Sequence, residues 1–335
     1  MTAAAGPPVR LGLLGCADIA LRRVLPAVAR LPRLSLTGVA SRDPERAGRV
    51  AARFGGRPAA NYEQLLARDD VDAVYVPLPT ALHAEWVERA LAAGKHVLAE
   101  KPLTADPAVT EALVTRARAA GLVLHENFMF LHHARQRRVR RLLESGAIGE
   151  PRAFSAAFAI PPRDRSDIRY QAALGGGARL DVGAYPVRAA LYFLGPTTQV
   201  VGSSLRYEEA SGVDVAGGAL VHRPDGVVGQ LVFGLDHAYT SRYELLGTEG
   251  RITVDRAFTP PADHAPVIRL ERGAHSAELV LEPDDQCANT LAAFADAVLH
   301  GRTGADPSLV HQARLLDDVR RLAAVTGAHG AGASR

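Results

Sequence analysis

The sequence predicts an α/β protein in two parts. An N-terminal doubly wound parallel sheet comes first, and a C-terminal α+β domain with a large, mostly antiparallel sheet follows. Three observations predict it. Short apolar runs alternate with capped helical patterns through the first 130 residues, as right-handed β–α–β crossovers require. Beyond residue 130, strand patterns succeed one another without helices between them, as in antiparallel sheets. A glycine turn joins the first strand to the first helix, where such sheets bind ligands.

The elements follow in order. VRLGLLG at 9–15 is a buried strand that runs into glycine. The next segment is helical, and Pro26 is expected to kink it. LSLTGVA at 34–40 is the second strand, and Asp43-Pro44 caps and opens the helix behind it. VDAVYVPLP at 71–79 is the third, with Thr80 as cap of a helix that Gly94 ends. HVLAEKP at 96–102 and LVLHENF at 122–128 are the fourth and fifth, separated by a helix after Asp106-Pro107 that Gly121 stops. A helix at 131–145, the strand RAFSAAFAI and an arginine- and proline-rich loop come next. GARLDVGAYPVRAALYFLG at 177–195 reads as one helix, on which Asp181 and Tyr185 share a face one turn apart. Seven strand patterns follow, from TTQVVGSSLRY to AELVLE, and helices near 286–300 and 306–325 close the chain. The expected domains are 9–130 and 131–326, between a disordered leader (1–8) and tail (327–335).

Bulk properties exclude several classes. Net charge is +3, and the basic run ARQRRVRRLLESG at 134–146 has helical spacing without interleaved aromatics, so no nucleic-acid partner is expected. No apolar run approaches the roughly 18 residues of a membrane span, and MTAAAGPPVR lacks the apolar region of a secretory signal. Cys16 and Cys287 make neither a disulfide framework nor a zinc pattern, and His132-His133 lack a carboxylate at metal spacing. A cytoplasmic protein without a metal is the expectation. Of 39 basic residues only Lys95 and Lys101 are lysines, which marks those positions as ones that need an ammonium.

The turn after the first strand reads Gly15-Cys16-Ala17-Asp18-Ile19-Ala20, a dinucleotide fingerprint with alanine at its second and third glycine places. A pyrophosphate there would meet backbone N–H groups at a helix start. After the second strand, an NAD site usually has a carboxylate for the ribose hydroxyls. This chain has Ser41-Arg42, and a hydroxyl beside a guanidinium suits a 2′-phosphate. The expected cofactor is NADP(H). Asp43 is the rival ribose ligand, but its Asp-Pro context explains it as a cap.

Glu100-Lys101-Pro102 stands at the carboxyl end of the fourth strand, on the ligand edge of the sheet. With the GLLGCADIA turn and GGGARLDVGAYP, it makes the chain resemble the Gfo/Idh/MocA oxidoreductases over nearly its whole length. Within that family the stretches VYVPLPTALHAEW, HVLAEKPLT, LHHARQ, AIPPRDRSDIRY and VDRAFTPPA are most similar to nucleotide-sugar 3-ketoreductases of deoxysugar biosynthesis. The resemblance implies a Rossmann domain and NADPH-dependent reduction of the C-3 ketone of a dTDP-linked keto-deoxyhexose. It also implies a cis Lys101-Pro102 bond, and a homodimer or homotetramer formed through the C-terminal sheet. Many relatives carry Asp-x-x-x-His on the second-domain helix, with histidine as acid; here the pair is Asp181 and Tyr185. The expected catalytic set is Lys101, Tyr185 as proton donor and Asp181, with Lys101 lowering the phenol pKa from its reference of about 10.

Further candidates for the cofactor are Pro77, Leu78, His83 and Glu100. Asn127, Arg163, Arg169, Tyr170 and Tyr243 are candidates for the substrate, the loop arginines for its diphosphate. Two alternatives stay open: a dehydrogenase of a free sugar or cyclitol, and a catalytically silent NADP-binding regulator.

Overall fold

The computed structural model describes residues 6–330, and side chains to residue 324. Most of the expected leader (1–8) and the end of the expected tail (327–335) lie outside the described residues; 6–8 have no regular structure and are exposed, and 327–330 belong to the last helix and not to a disordered tail. The chain divides into two compact units. The first comprises Met1–Thr104, Ala108–Met129 and Cys287–Val310, and the second Ala105–Pro107, Phe130–Gln286 and His311–Arg335.

In the first unit the strands are β1 (Val9–Leu14), β2 (Leu34–Ala40), β3 (Arg57–Ala59), β4 (Ala73–Val76), β5 (His96–Ala99) and β6 (Val123–Glu126). They lie in the order β6-β5-β4-β1-β2-β3, all pairs parallel. The order reverses between β1 and β4, the switch point at which such sheets bind ligands. Helices cover both faces, so β1, β4 and β5 are almost wholly buried and read as continuous apolar runs.

A widened turn at Ala20–Val24 leads into α1 (Leu25–Val28), with the Leu25 N–H on Ala20 O. Pro26 explains the widening, because it has no N–H and its ring crowds the carbonyl four residues back. α2 (Pro44–Phe54) has the expected Asp43 cap. α3 (Tyr62–Leu66), α4 (Thr80–Ala92) and α5 (Pro107–Ala119) follow. Pro79 rather than Thr80 is the cap residue of α4, and no side chain caps it. Lys95 uses its ammonium structurally, donating to Arg68 O and Val71 O at 2.8 Å each.

The second unit carries α6 (Ala134–Glu144), α7 (Ala178–Asp181) and α8 (Ala184–Leu194). Its eight-stranded sheet is built from β7 (Pro151–Ala159), β8 (Gln199–Tyr207), β9 (Asp214–His222), β10 (Val228–Gly234), β11 (Thr240–Gly247), β12 (Arg251–Asp255), β13 (Val267–Arg272) and β14 (His275–Val280). The order is β14-β13-β12-β11-β7-β10-β9-β8, antiparallel except for β7 and β10. One face packs Phe154, Phe158, Leu231, Phe233, Tyr243 and Leu245 into the core. The other exposes Leu220, Val228, Val232 and Leu246, which the strand register puts on one side.

α9 (Gln286–Leu299), the strand β15 (Gly304–Ala305) and α10 (Ser308–Gly330) end the described chain. The contiguous second domain expected at 131–326 differs from this arrangement. From Cys287 the chain re-enters the first unit, where Leu291, Phe294 and Ala295 join the core that holds Leu11 and Tyr75, and β15 pairs with β6. The apolar face of α9 is what draws it there.

Candidate active site

The turn after β1 is closed by Gly15, whose φ is 103° and whose N–H donates to Ala40 O (2.9 Å). A Cβ at this position would lie 2.6 Å from Leu78 Cδ2, so only glycine fits. The turn after β1 therefore abuts the turn after β4, at the switch point. Cys16 is buried, Ala17 and Ile19 are half-buried, and Asp18 is exposed 3.6 Å from Arg22 one turn on. A helix opens at Asp18. Its first N–H groups lack partners within the helix, the arrangement that suits an anion. Pro77 is buried and Leu78 half-buried beside this turn.

At the end of β2, the Asp43 N–H donates to buried Ser41 Oγ (3.2 Å) while Arg42 is exposed. Asp43 Oδ1 accepts the Arg46 N–H (3.1 Å), so this carboxylate is occupied as the cap of α2. Two further residues join the cluster. The hydroxyl of buried Tyr62 lies 3.6 Å from where a Gly15 Cβ would be, and the Arg42 charge offsets part of the burial that raises its pKa. Arg46 stands near enough for its charge to bear on the Cys16 thiol, which burial pushes above its ordinary pKa. Two guanidiniums, a serine hydroxyl and a phenol thus gather at the end of β2, and the carboxylate beside them is engaged as a helix cap. That donor set, with the cradle at Gly15, fits NADP(H). Sequence reading missed Arg46 and Tyr62, although Arg46 lies one turn beyond Arg42.

The strand ends β4, β5 and β6 meet at Glu100. Fully buried Tyr75 donates its hydroxyl to Glu100 Oε1 (2.7 Å), and buried Asn127 donates its amide to the same oxygen (2.6 Å). Burial, then the Glu100 charge, holds the Tyr75 pKa well above the ordinary phenol range. Glu100 Oε2 is 3.4 Å from the Lys101 N–H, and the Lys101-Pro102 bond is cis. Leu103 N–H donates to Glu126 Oε1 (2.6 Å). His83, expected at the cofactor, is 1% exposed, with Nδ1 2.9 Å from Pro102 O and Nε2 2.7 Å from Leu78 O. It braces the lysine turn against the β4–α4 turn. Tyr75 is the residue that sequence reading missed here.

In the second unit, Asp181 and Tyr185 do not sit on one continuous helix. α7 ends at Asp181, and α8 begins at Ala184. Pro186 is the cause: it has no N–H, its ring opposes the Val182 carbonyl, and the Tyr185 N–H turns to Val182 O (3.2 Å). The glycines before α7 are steric necessities. A Cβ on Gly176 would lie 2.6 Å from Arg169 O, and one on Gly177 would lie 2.5 Å from Asp214 Oδ1. Asp214, buried, accepts the Arg179 N–H (2.5 Å) at the entry to α7. Burial raises its pKa against the opposing pull of that N–H and the Arg179 charge.

Tyr185 is half-buried among Phe158, Phe258 and Phe130, with ring centroids 4.9, 5.6 and 6.0 Å away. Arg169 donates Nε–H to Asp181 Oδ2 (2.5 Å) and Nη1–H to Asp167 (3.0 and 3.2 Å). Arg163 is exposed, and its N–H meets the buried Tyr170 hydroxyl at 3.4 Å. Tyr243, expected at the substrate, is instead a core residue. It is fully buried, donates to Gln136 Oε1 (2.6 Å), and packs on Phe154 and Phe193.

A doubly wound nucleotide-type unit with a lysine turn, together with a sheet unit bearing a carboxylate and a phenol on one broken helix, defines an oxidoreductase class. The chain belongs to the Gfo/Idh/MocA family. Residues 9–128 match its oxidoreductase domain with an NAD-binding Rossmann fold, and residues 136–253 match its C-terminal domain. Over 316 residues it is 54% identical to a dTDP-3,4-didehydro-2,6-dideoxy-α-D-glucose 3-reductase of Actinomadura kijaniata, covering 93% of this chain and 95% of that one. A protein of the same description from Streptomyces violaceoruber is 52% identical over 326 residues, covering 94% and 95%. The crystal structure of KijD10, a 3-ketoreductase from Actinomadura kijaniata in complex with NADP and TDP-benzene, superposes with a TM-score of 0.91. Identity there is 52%, with 94% of this chain and 98% of that chain covered.

Because Asp43 serves α2, Asp43→Ala lowers stability by about 0.5–2 kcal/mol and leaves the ratio of KM values for NADPH and NADH unchanged. Calorimetry and steady-state kinetics check the two halves, and a shifted ratio would return Asp43 to the ribose. Tyr243→Phe, in turn, costs stability and leaves every KM as it was.

Proposed function

We propose that the protein uses NADPH to reduce the C-3 ketone of a dTDP-linked keto-deoxyhexose. The observation that carries this reading is its likeness, along 93% of the chain, to a dTDP-sugar 3-reductase. The phenol of Tyr185, where many relatives have histidine, supports it. When bound, NADPH supplies the hydride. The 2′-phosphate is assigned to Ser41, Arg42, Arg46 and Tyr62, and the pyrophosphate to the backbone from Gly15 to Ile19.

Lys101 supplies positive charge where the carbonyl oxygen becomes an alkoxide. Its turn is held by Glu100, which Tyr75 and Asn127 orient, and by His83 at Pro102 O. Tyr185 donates the proton: a phenol is protonated at neutral pH, and its aromatic surround excludes competing water. Asp181 orders the donor region, and Arg163 is assigned to the nucleotide; Tyr170, expected there, is buried with Val213 and Val215.

We further propose a cytoplasmic homodimer or homotetramer assembled through the eight-stranded sheet. Leu220, Val228, Val232 and Leu246 form an exposed apolar face that a second copy would cover. Cys16 and Cys287 are both buried, and two cysteines do not make a disulfide framework. No helix among the described residues is long and apolar enough to cross a membrane.

Lys101→Ala removes nearly all turnover while NADPH still binds, read by fluorescence titration. Tyr185→Phe lowers kcat by about tenfold to ten-thousandfold, the range of general acid catalysis. A dTDP-ketosugar that fails to consume NADPH with the wild-type protein overturns the reading. Val232→Asp shifts the light-scattering mass to that of the single chain; an unchanged mass excludes this face as the interface.

A further inference from the structure

α7 has four residues, and a helix of that length does not persist on its own backbone bonds. Something outside it must hold the Asp181 carboxylate. The structure assigns this task to Arg169: we propose that it is a positioning residue of the reduction, bracketing α7 at both ends. At the entry, its carbonyl accepts the Gly177 N–H at 2.9 Å. At the exit, its Nε–H donates to Asp181 Oδ2 at 2.5 Å.

The same guanidinium is tied back to Asp167, at 3.0 and 3.2 Å, and Asp167 also accepts the Arg169 backbone N–H (3.0 Å). The Gly176 position shows how close this contact is. Any Cβ there would press on the Arg169 and Ile168 carbonyls, at 2.6 and 2.8 Å. Burial alone would lower the Arg169 pKa, but the charges of Asp181 and Asp167 raise it above its ordinary value. The side chain is therefore a permanent cation between two carboxylates.

Arginine suits this place for geometric reasons. Its fork donates in two fixed directions, so one group can hold two carboxylates at once; a lysine ammonium is a point charge without that fork. The guanidinium expected to meet the substrate diphosphate thus acts through Asp181 instead. The two roles differ in kinetics. A phosphate ligand contributes to substrate binding, whereas a positioning residue contributes to turnover.

The inference rests on the reading of Asp181 as part of the catalytic machinery, and the test separates the two. Arg169→Lys is compared with wild type in NADPH oxidation with the dTDP-ketosugar, and dTDP affinity is measured by calorimetry. The expected result is a kcat about tenfold to a hundredfold lower, the cost of a misplacement near 1 Å, with KM and dTDP affinity unchanged. In an Asp181→Asn background the same change lowers kcat less than about twofold, because residues in one network are not additive. A raised KM with retained kcat overturns the proposal and makes Arg169 a phosphate ligand. Additive losses overturn it as well, since they assign the effect to folding. Full kcat in Asp181→Asn alone sinks the underlying reading and the proposal with it. Should Arg169→Lys fail to fold, Arg169→Gln carries the same comparison with the same outcomes.

Discussion

The carboxylate of Glu100 is the constraint on which the first unit's chemistry depends. It accepts hydrogen bonds from Tyr75 on β4 and Asn127 beyond β6, while itself ending β5. Three neighbouring strands are thereby tied at one edge of the sheet by a single oxygen. Removing either donor would leave a charged acceptor short of a partner, which costs more than the bond itself contributes. The lysine that follows Glu100 inherits that rigidity. His83 extends it by reaching from the buried face of α4 to the carbonyls of Leu78 and Pro102. The glycine turn belongs to the same construction, because Leu78 packs where a Cβ of Gly15 would be.

Much of this fold is legible in the sequence where periodicity is long. The seven strand patterns after residue 195 all form, and in β10, β11 and β12 alternation over five or more residues marks one buried face. β3 and β15 escape because three and two residues cannot show a period. The return of 287–310 to the first unit escapes for a different reason: the apolar face of α9 says that it must be covered, not by what. The helix break before Tyr185 was written in Pro186, whose ring forbids the bond that a continuous helix needs.

The site divides along the same line. Residues on turns between elements, such as Gly15, Ser41 and Glu100, could be placed because sheet topology sends every carboxyl end to one edge. Side chains inside elements were harder to place, yet their parity was available. Tyr243 shares the inward face of β11 with Ser241 and Leu245, between outward Arg242 and Glu244. His83 precedes Trp86, Val87, Ala90 and Leu91 at helical spacing, all on the buried face of α4. Both patterns point to the core and not to a ligand. Tyr75 gave no such hint, because a phenol in the fully buried strand AVYV looks like packing until its partner is known.

The two units stabilise their functional groups by opposite means, and the chemistry accounts for the difference. In the first, two neutral buried donors, Tyr75 and Asn127, hold one carboxylate beside the lysine turn. In the second, a guanidinium between two carboxylates holds Asp181, and a buried Asp214 receives the N–H at the start of its turn. An ion pair half open to solvent is worth little as a source of stability. Its value here is directional, since the fork fixes where the carboxylate lies. The glycines at 176 and 177 are what that closeness requires, because any side chain would displace the groups that the ion pair aligns. The glycine run is therefore a closely packed entry to the phenol-bearing segment.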